Sequence, residues 1–143
     1  MTGSDKSRRA SGILEPHTGE VLGCKLGFSE SQVALLWPGG QWHELRDGER
    51  SYTLTQEAGI SSVPLHHAFR FIEGELVSIT LKSIQNGADG LGRHRFNQLL
   101  RELQRELPAK PFMQDEGYLE YDVASTRVVC DVLDATIRFE ELP

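Results

Sequence analysis

Apolar and polar residues alternate most cleanly over residues 64–83, PLHHAFRFIEGELVSITLKS, where two apolar runs flank Glu73-Gly74. That is the pattern of a long β-hairpin with one buried face. A two-residue loop at Glu73-Gly74 would pair Phe71 with Leu76 and leave both faces mixed. A three-residue loop, Ile72-Glu73-Gly74, pairs Phe71 with Glu75 and Phe69 with Val77, with glycine at the left-handed third place. Leu65, His67, Phe69, Phe71, Val77, Ile79 and Leu81 then share one face, so the alternation favours this register. Burying Phe69, Phe71, Val77, Ile79 and Leu81 stabilises by roughly 1.5–3 kcal/mol each before conformational entropy is subtracted. The ribbon is the expected centre of the core.

Residues 13–28 hold short apolar pairs broken by Pro16, Gly19, Gly23 and Gly27, which predicts one or two short strands with a turn at 16–20. Ser29 and Gln32 have capping-box spacing, and Val33, Leu36 and Trp37 follow at helical intervals until Pro38-Gly39-Gly40 ends the helix. Residues 41–55 read as a second hairpin about Asp47-Gly48, a type I′ turn pair. Its register puts His43, Leu45, Tyr52 and Leu54 on one face and Trp42, Glu44, Ser51 and Thr53 on the other. Residues 56–63 and 86–92 read as loops. Phe96, Leu99, Leu100, Leu103 and Leu107 form one stripe on a helix over 92–107 that stops before Pro108. After a linker at 109–117, strands are expected at 118–123, 127–133 and 136–141, with a turn at Asp134-Ala135.

Adjacent strands joined by tight turns predict an α+β fold, a single antiparallel β-sheet of about six to eight strands with two helices packed on one face. Residues 1–12 read as a disordered N-terminal tail and 13–143 as a single α+β domain, with no internal repeat. The 38% hydrophobic and 25% charged content fits a folded globular chain. No apolar run approaches the roughly 20 residues of a membrane span. The segment MTGSDKSRRASG has no apolar stretch behind its charges, so it does not read as a secretory signal, and a cytoplasmic location is expected.

The net charge of −6 is unevenly placed. Residues 1–111 hold 13 acidic and 13 basic side chains, whereas 112–143 hold 8 acidic residues against Arg127 and Arg138 alone. Nucleic acid is a poor fit for such a chain, because phosphate neutralisation needs a basic face.

No catalytic signature emerges. Cys24 and Cys130 have neither metal-ligand nor CxxC spacing and read as reduced, partly buried thiols. His66 and His67 are neighbours in a strand and point to opposite faces, so they cannot share a metal, and His67 reads as a structural core histidine. The glycines of 86–92 lack the dinucleotide fingerprint and its βαβ setting. No serine or cysteine sits on a nucleophile elbow, and the carboxylate pairs Glu120/Asp122 and Asp131/Asp134 are too common to be diagnostic. The expectation is a non-enzyme with no catalytic residue, cofactor or metal.

What remains is a binding surface. Trp37 and Trp42 flank the Pro38-Gly39-Gly40 turn, where an exposed tryptophan would be an interface anchor and a packed one part of the core. The terminal third carries Glu116, Glu120, Asp122, Asp131, Asp134, Glu140 and Glu141. Such a surface steers a basic partner; alternatively it is a solvated ribbon that protects a sheet edge. The candidate partner-binding residues are Glu116, Glu120, Asp122, Asp131, Asp134 and Trp42.

One order of features resembles a known group. Leu26-Gly27-Phe28-Ser29 leads a short helix ending at Trp37; a hairpin with Phe69, Phe71, Gly74, Leu76 and Ile79 follows; a helix with Phe96, Leu99 and Leu103 ends near Leu107-Pro108. Over roughly 26–110 this resembles small bacterial α+β binding proteins, including immunity proteins of toxin systems and the repeat unit of beta-lactamase inhibitory proteins. The chain departs from those inhibitors in its strand count, and no secretion leader such as theirs is expected from its first residues. The resemblance implies a protein-binding role with no catalytic residues to carry over. The leading expectation is a cytoplasmic immunity protein that blocks a cognate toxin, its acidic C-terminal surface meeting a basic cleft such as a nuclease's. The alternatives are a small-ligand-binding or enzymatic domain with a pocket between helix 92–107 and the sheet, and a structural or adaptor subunit with an apolar self-interface. No nucleic-acid or membrane partner is expected; a homodimer is a further option.

Overall fold

Ser29 starts the first helix through the reciprocal pair its spacing implies. In the computed structural model its hydroxyl accepts from the Gln32 amide at 3.2 Å, and the Gln32 side chain accepts from the Ser29 amide at 2.8 Å. The structure describes residues 13–57, 64–83, 91–108, 110–111 and 113–142. Among these, helix α1 (Glu30–Leu36) precedes strands β1 (Gln41–Arg46), β2 (Glu49–Glu57), β3 (Pro64–Ile72) and β4 (Glu75–Ser83). Helix α2 (Leu91–Gln104) then precedes β5 (Met113–Asp115), β6 (Tyr118–Val123), β7 (Thr126–Asp131) and β8 (Thr136–Glu141).

The described strands form one eight-stranded antiparallel sheet in the order β1-β2-β3-β4-β8-β7-β6-β5. One plan therefore occurs twice, a helix followed by a four-stranded meander, and the last strands of the two meanders, β4 and β8, pair at the centre. Apolar alternation alone carries no trace of this doubling, because each half buries a different set of side chains.

Both helices lie on one face. Trp37, at the end of α1, packs on fully buried His67 with ring centroids 5.7 Å apart. Phe96, Leu99 and Leu103 of α2 are fully buried in the same core as Phe69, Ile79, Ile137 and Phe139. Gln104 of α2 donates to the Tyr121 hydroxyl at 3.3 Å. Residues 13–28 lie on this face too. They form isolated bridges (Leu14 with Val21, Val21 with Cys24) in place of the expected strands. Thr126 Oγ1 donates to the Gly19 carbonyl at 2.8 Å, and a Cβ on Gly19 would sit 2.7 Å from that oxygen, so the chain passes over β7 only with glycine there.

The main hairpin turns on two residues, not three. Glu73 (φ 51°) and Gly74 (φ 80°) are both left-handed, and Phe71 pairs with Leu76. One extra residue near Val77 then shifts the ladder, so that Phe69 pairs with Ile79 and His67 with Leu81. Turn plus bulge moves the expected register by two, which preserves parity: Phe69, Phe71, Ile79 and Leu81 face inward as expected. Leu76, expected outside, is 1% exposed, and half-buried Val77 is displaced from the inner face.

The β1–β2 hairpin overturns its expected faces. Asp47 is not left-handed, so the turn is not type I′. A bulge between Glu44 and Arg46 slips the ladder by one residue and pairs Trp42 with Tyr52 and His43 with Ser51. A one-residue slip exchanges the faces. Trp42 and Tyr52 therefore point inward, while His43, Ser51 and Thr53 point outward.

Helix α2 ends earlier than its leucine stripe. Beyond Gln104, amides 105–107 bond carbonyls three residues back, a tightened last turn that still buries Leu107. The expected linker at 109–117 contains β5, which pairs Met113 with Glu120 and Asp115 with Tyr118. The tail at 1–12, most of the loop at 56–63 and residues 86–90 of the loop at 86–92 lie outside the described residues. No helix among the described residues is long and apolar enough to cross a membrane.

Candidate functional site: the outward sheet face

The face opposite the helices is read directly from the strand registers. One row runs Asp122, Arg127, Glu140, Ser78, Arg70, Ser51, His43. The next runs Glu120, Val129, Arg138, Thr80, Ala68, Thr53, Gln41, and the third begins Asp115, Tyr118, Asp131, Thr136, Lys82, His66. The first two rows place arginines among the acids of the C-terminal half; the third is acidic at its β5 end and meets a cation only at Lys82.

The pairing follows. Arg127 Nε lies 3.3 Å from Asp122 Oδ1 and 3.7 Å from Glu120 Oε1, and Arg138 Nε lies 2.7 Å from Glu140 Oε1. Glu120, only 9% exposed, also accepts from the Tyr118 hydroxyl at 2.6 Å. That hydrogen bond, with burial and the nearby charge of Glu120, holds the Tyr118 phenol above its ordinary pKa. On the N-terminal half, Arg70 Nε binds Glu49 Oε2 at 3.0 Å and holds the Glu49 carboxyl below the usual carboxylate range.

The expected binding residues thus fall into three groups. Glu120 and Asp122 are tied into the arginine ladder. Asp131, Asp134 and Glu116 gather at one end of the sheet, where the β5–β6 and β7–β8 turns meet through a bond from the Val132 amide to the Gly117 carbonyl at 2.8 Å. Asp131 Oδ1 accepts from the Asp134 amide at 3.0 Å, and Lys82 Nζ approaches Asp134 Oδ2 at 3.6 Å. Trp42 is apart from all of these. It lies half-buried on the inner face against Tyr52 and Phe71, under the Arg50 guanidinium at 4.4 Å. Arg50 also reaches Glu30 of α1 at 2.8 Å and Glu44 at 2.6 Å, so this cluster clamps α1 onto the sheet.

Phe96, Leu99 and Leu103 of α2 are fully buried in the core that the helix shares with the sheet. A cleft of about 390 Å³ opens elsewhere, lined by Gly39, Gln41, His43, Thr53, Leu54 and His66. His43 Nε2 and Thr53 Oγ1 hydrogen-bond at 2.9 Å beside it. His43 and His66 stand two strands apart and several residues offset, too far for a shared metal. Among the described residues no group of three or more His, Cys, Asp or Glu side chains is positioned to hold a metal. Sequence reasoning missed Leu133, which is 69% exposed between Asp131 and Asp134; its one signal was an apolar residue at an acidic turn.

No family model matches the chain, and no curated protein matches its sequence. Among solved structures the fold is similar to a cysteine-rich secretory protein from Staphylococcus aureus, at 12% identity and a TM-score of 0.50. That match covers 93% of this chain and 48% of the other, so this chain spans about half its length. At that identity the likeness is one of fold alone.

Proposed function

We propose that the chain is a protein-binding module that meets a basic partner through the acidic half of its outward sheet face. The observation that carries the reading is the charge balance of residues 112–143. Eight acids stand against Arg127 and Arg138, and both arginines are already engaged by acids of the same ribbon. The surplus lies at the ends of the strands, with Asp115, Glu116, Asp131 and Asp134 together at one end and Glu141 at the other. A surplus of one sign speeds encounter with an oppositely charged surface and penalises the wrong one. The sharper form of the reading is a cytoplasmic immunity protein that covers the basic cleft of a toxin. The ladder around Arg127 then serves as a rigid base and the surplus acids do the steering.

The test is charge reversal of Glu116, Asp131 and Asp134 to lysine, with the association rate to a purified basic partner followed over a salt series. The on-rate should fall and its salt dependence disappear. A partner that binds the reversed protein with unchanged rate and salt dependence would overturn the reading.

A further inference from the structure

Leu133 sits where the two turns of the acidic end meet, and its position is built rather than incidental. A Cβ placed on Gly117 would lie 2.7 Å from Leu133 Cγ and 3.0 Å from Cδ1. Gly117 also has φ +71°, a conformation that disfavours side chains, so the bare α-carbon forms a seat on which the leucine rests. The Val132 amide bond to the Gly117 carbonyl locks the two turns together. Leu133 is nevertheless 69% exposed, which makes it one of the two most exposed large apolar side chains among the described residues, with Leu35 of α1. Beside it along the chain stand Asp131, the last residue of β7, and Asp134 on its own turn, and beside Gly117 stand Asp115, the last residue of β5, and Glu116.

We infer that Leu133 is the apolar anchor of the interface and that the four surrounding carboxylates are its rim. The inference rests on the protein-binding reading above and deepens it. The occupant it fits is a basic protein surface that presents an aliphatic recess ringed by lysine or arginine. A central apolar side chain that loses its water, encircled by polar groups, is how binding energy concentrates in protein interfaces. Seating on Gly117 orders the side chain before binding, which reduces the entropy lost on association. The rim gives encounter rate and sign selection, and the leucine gives residence time.

The probes are two synthetic peptides of equal positive charge, one an amphipathic lysine–leucine peptide and the other of lysine alone, titrated into the isotopically labelled full chain and followed by amide shifts. Expected are shifts at 115–118 and 131–135 with both, and tighter binding of the lysine–leucine peptide. Leu133→Ser should weaken that peptide at least about tenfold, the factor corresponding to about 1.4 kcal/mol, and leave the lysine-only peptide unchanged. Leu133→Gln, which keeps a stem over Gly117, is the second variant should Leu133→Ser lower the melting temperature. Equal binding of both peptides at the acidic end, indifferent to Leu133, overturns the anchor and leaves the acidic surface standing. Shifts elsewhere, or none with either peptide, overturn the anchor and count against the charge reading as well.

Discussion

Trp42 stands directly across the ladder from Tyr52, with ring centroids 4.6 Å apart, because the bulge between Glu44 and Arg46 removes one residue from the alternation of β1. The indole is thereby held between Tyr52, Phe71 and the Arg50 guanidinium. Trp42→Ala should cost about 2–3 kcal/mol, somewhat under a fully buried tryptophan. Leu45, in the bulge and 50% exposed, should tolerate serine within about 0.5 kcal/mol. Urea unfolding midpoints at constant slope test the pair. The reverse ranking would mean that Leu45 and not Trp42 points inward.

Tyr52 also closes the turn after α1. Its hydroxyl donates to the Trp37 carbonyl at 2.6 Å and accepts from the Gly40 amide at 2.9 Å. A Cβ on Gly40 would lie 2.6 Å from Tyr52 Cζ and 2.9 Å from the Thr53 carbonyl oxygen. Gly40→Ala should therefore destabilise by about 1–3 kcal/mol through overpacking. An unchanged melting temperature would show that the turn can move away from the ring.

Glu49 links stability to pH. Its hydrogen bond from Arg70 is the main cause of its lowered pKa, with the charges of Arg70 and Arg46 adding to it and burial opposing. A carboxyl whose folded pKa lies below its unfolded value, near about 4.3, adds stability above that pH and loses it as pH falls through the folded value. Below about pH 4.3 the native protein should lose stability more steeply than Glu49→Gln, while the two curves run parallel nearer neutrality. Parallel curves throughout the acid range would mean that the Arg70 contact is not kept in solution.

Both thiols should be silent in the folded protein. Desolvation, with some help from Glu20, pushes Cys24 up to about 11, and desolvation pushes Cys130 up to about 12. Alkylation at mildly alkaline pH should be slow for the native chain and fast for both cysteines after denaturation. Rapid labelling of native protein at either position would contradict its burial.

Side-chain pattern carried much of the architecture. The Phe96–Leu99–Leu103 stripe, the Ser29–Gln32 cap and the inward set Phe69, Phe71, Ile79 and Leu81 are all visible in the chain, because burial repeats with the period of each element. A two-residue turn with one bulge gives those four residues the same parity as a three-residue turn, so their face was legible although their partners were not. Alternation could not orient β1, where Trp42 is the one large inward apolar side chain and a slip costs little until Tyr52 and Phe71 are in place.

The binding surface divides in the same way. The acid surplus of 112–143 is a count and needs no fold. Which acids are spoken for depends on Arg127 standing between Asp122 and Glu140, and on Asp131 and Glu116 being carried to one end by the β5–β6 and β7–β8 turns. The seat of Leu133 on Gly117, the inward turn of Trp42 and the meeting of β4 with β8 join residues far apart in sequence or set by a bulge. Local preference has no term for such contacts, since their energy exists only once both partners are in place.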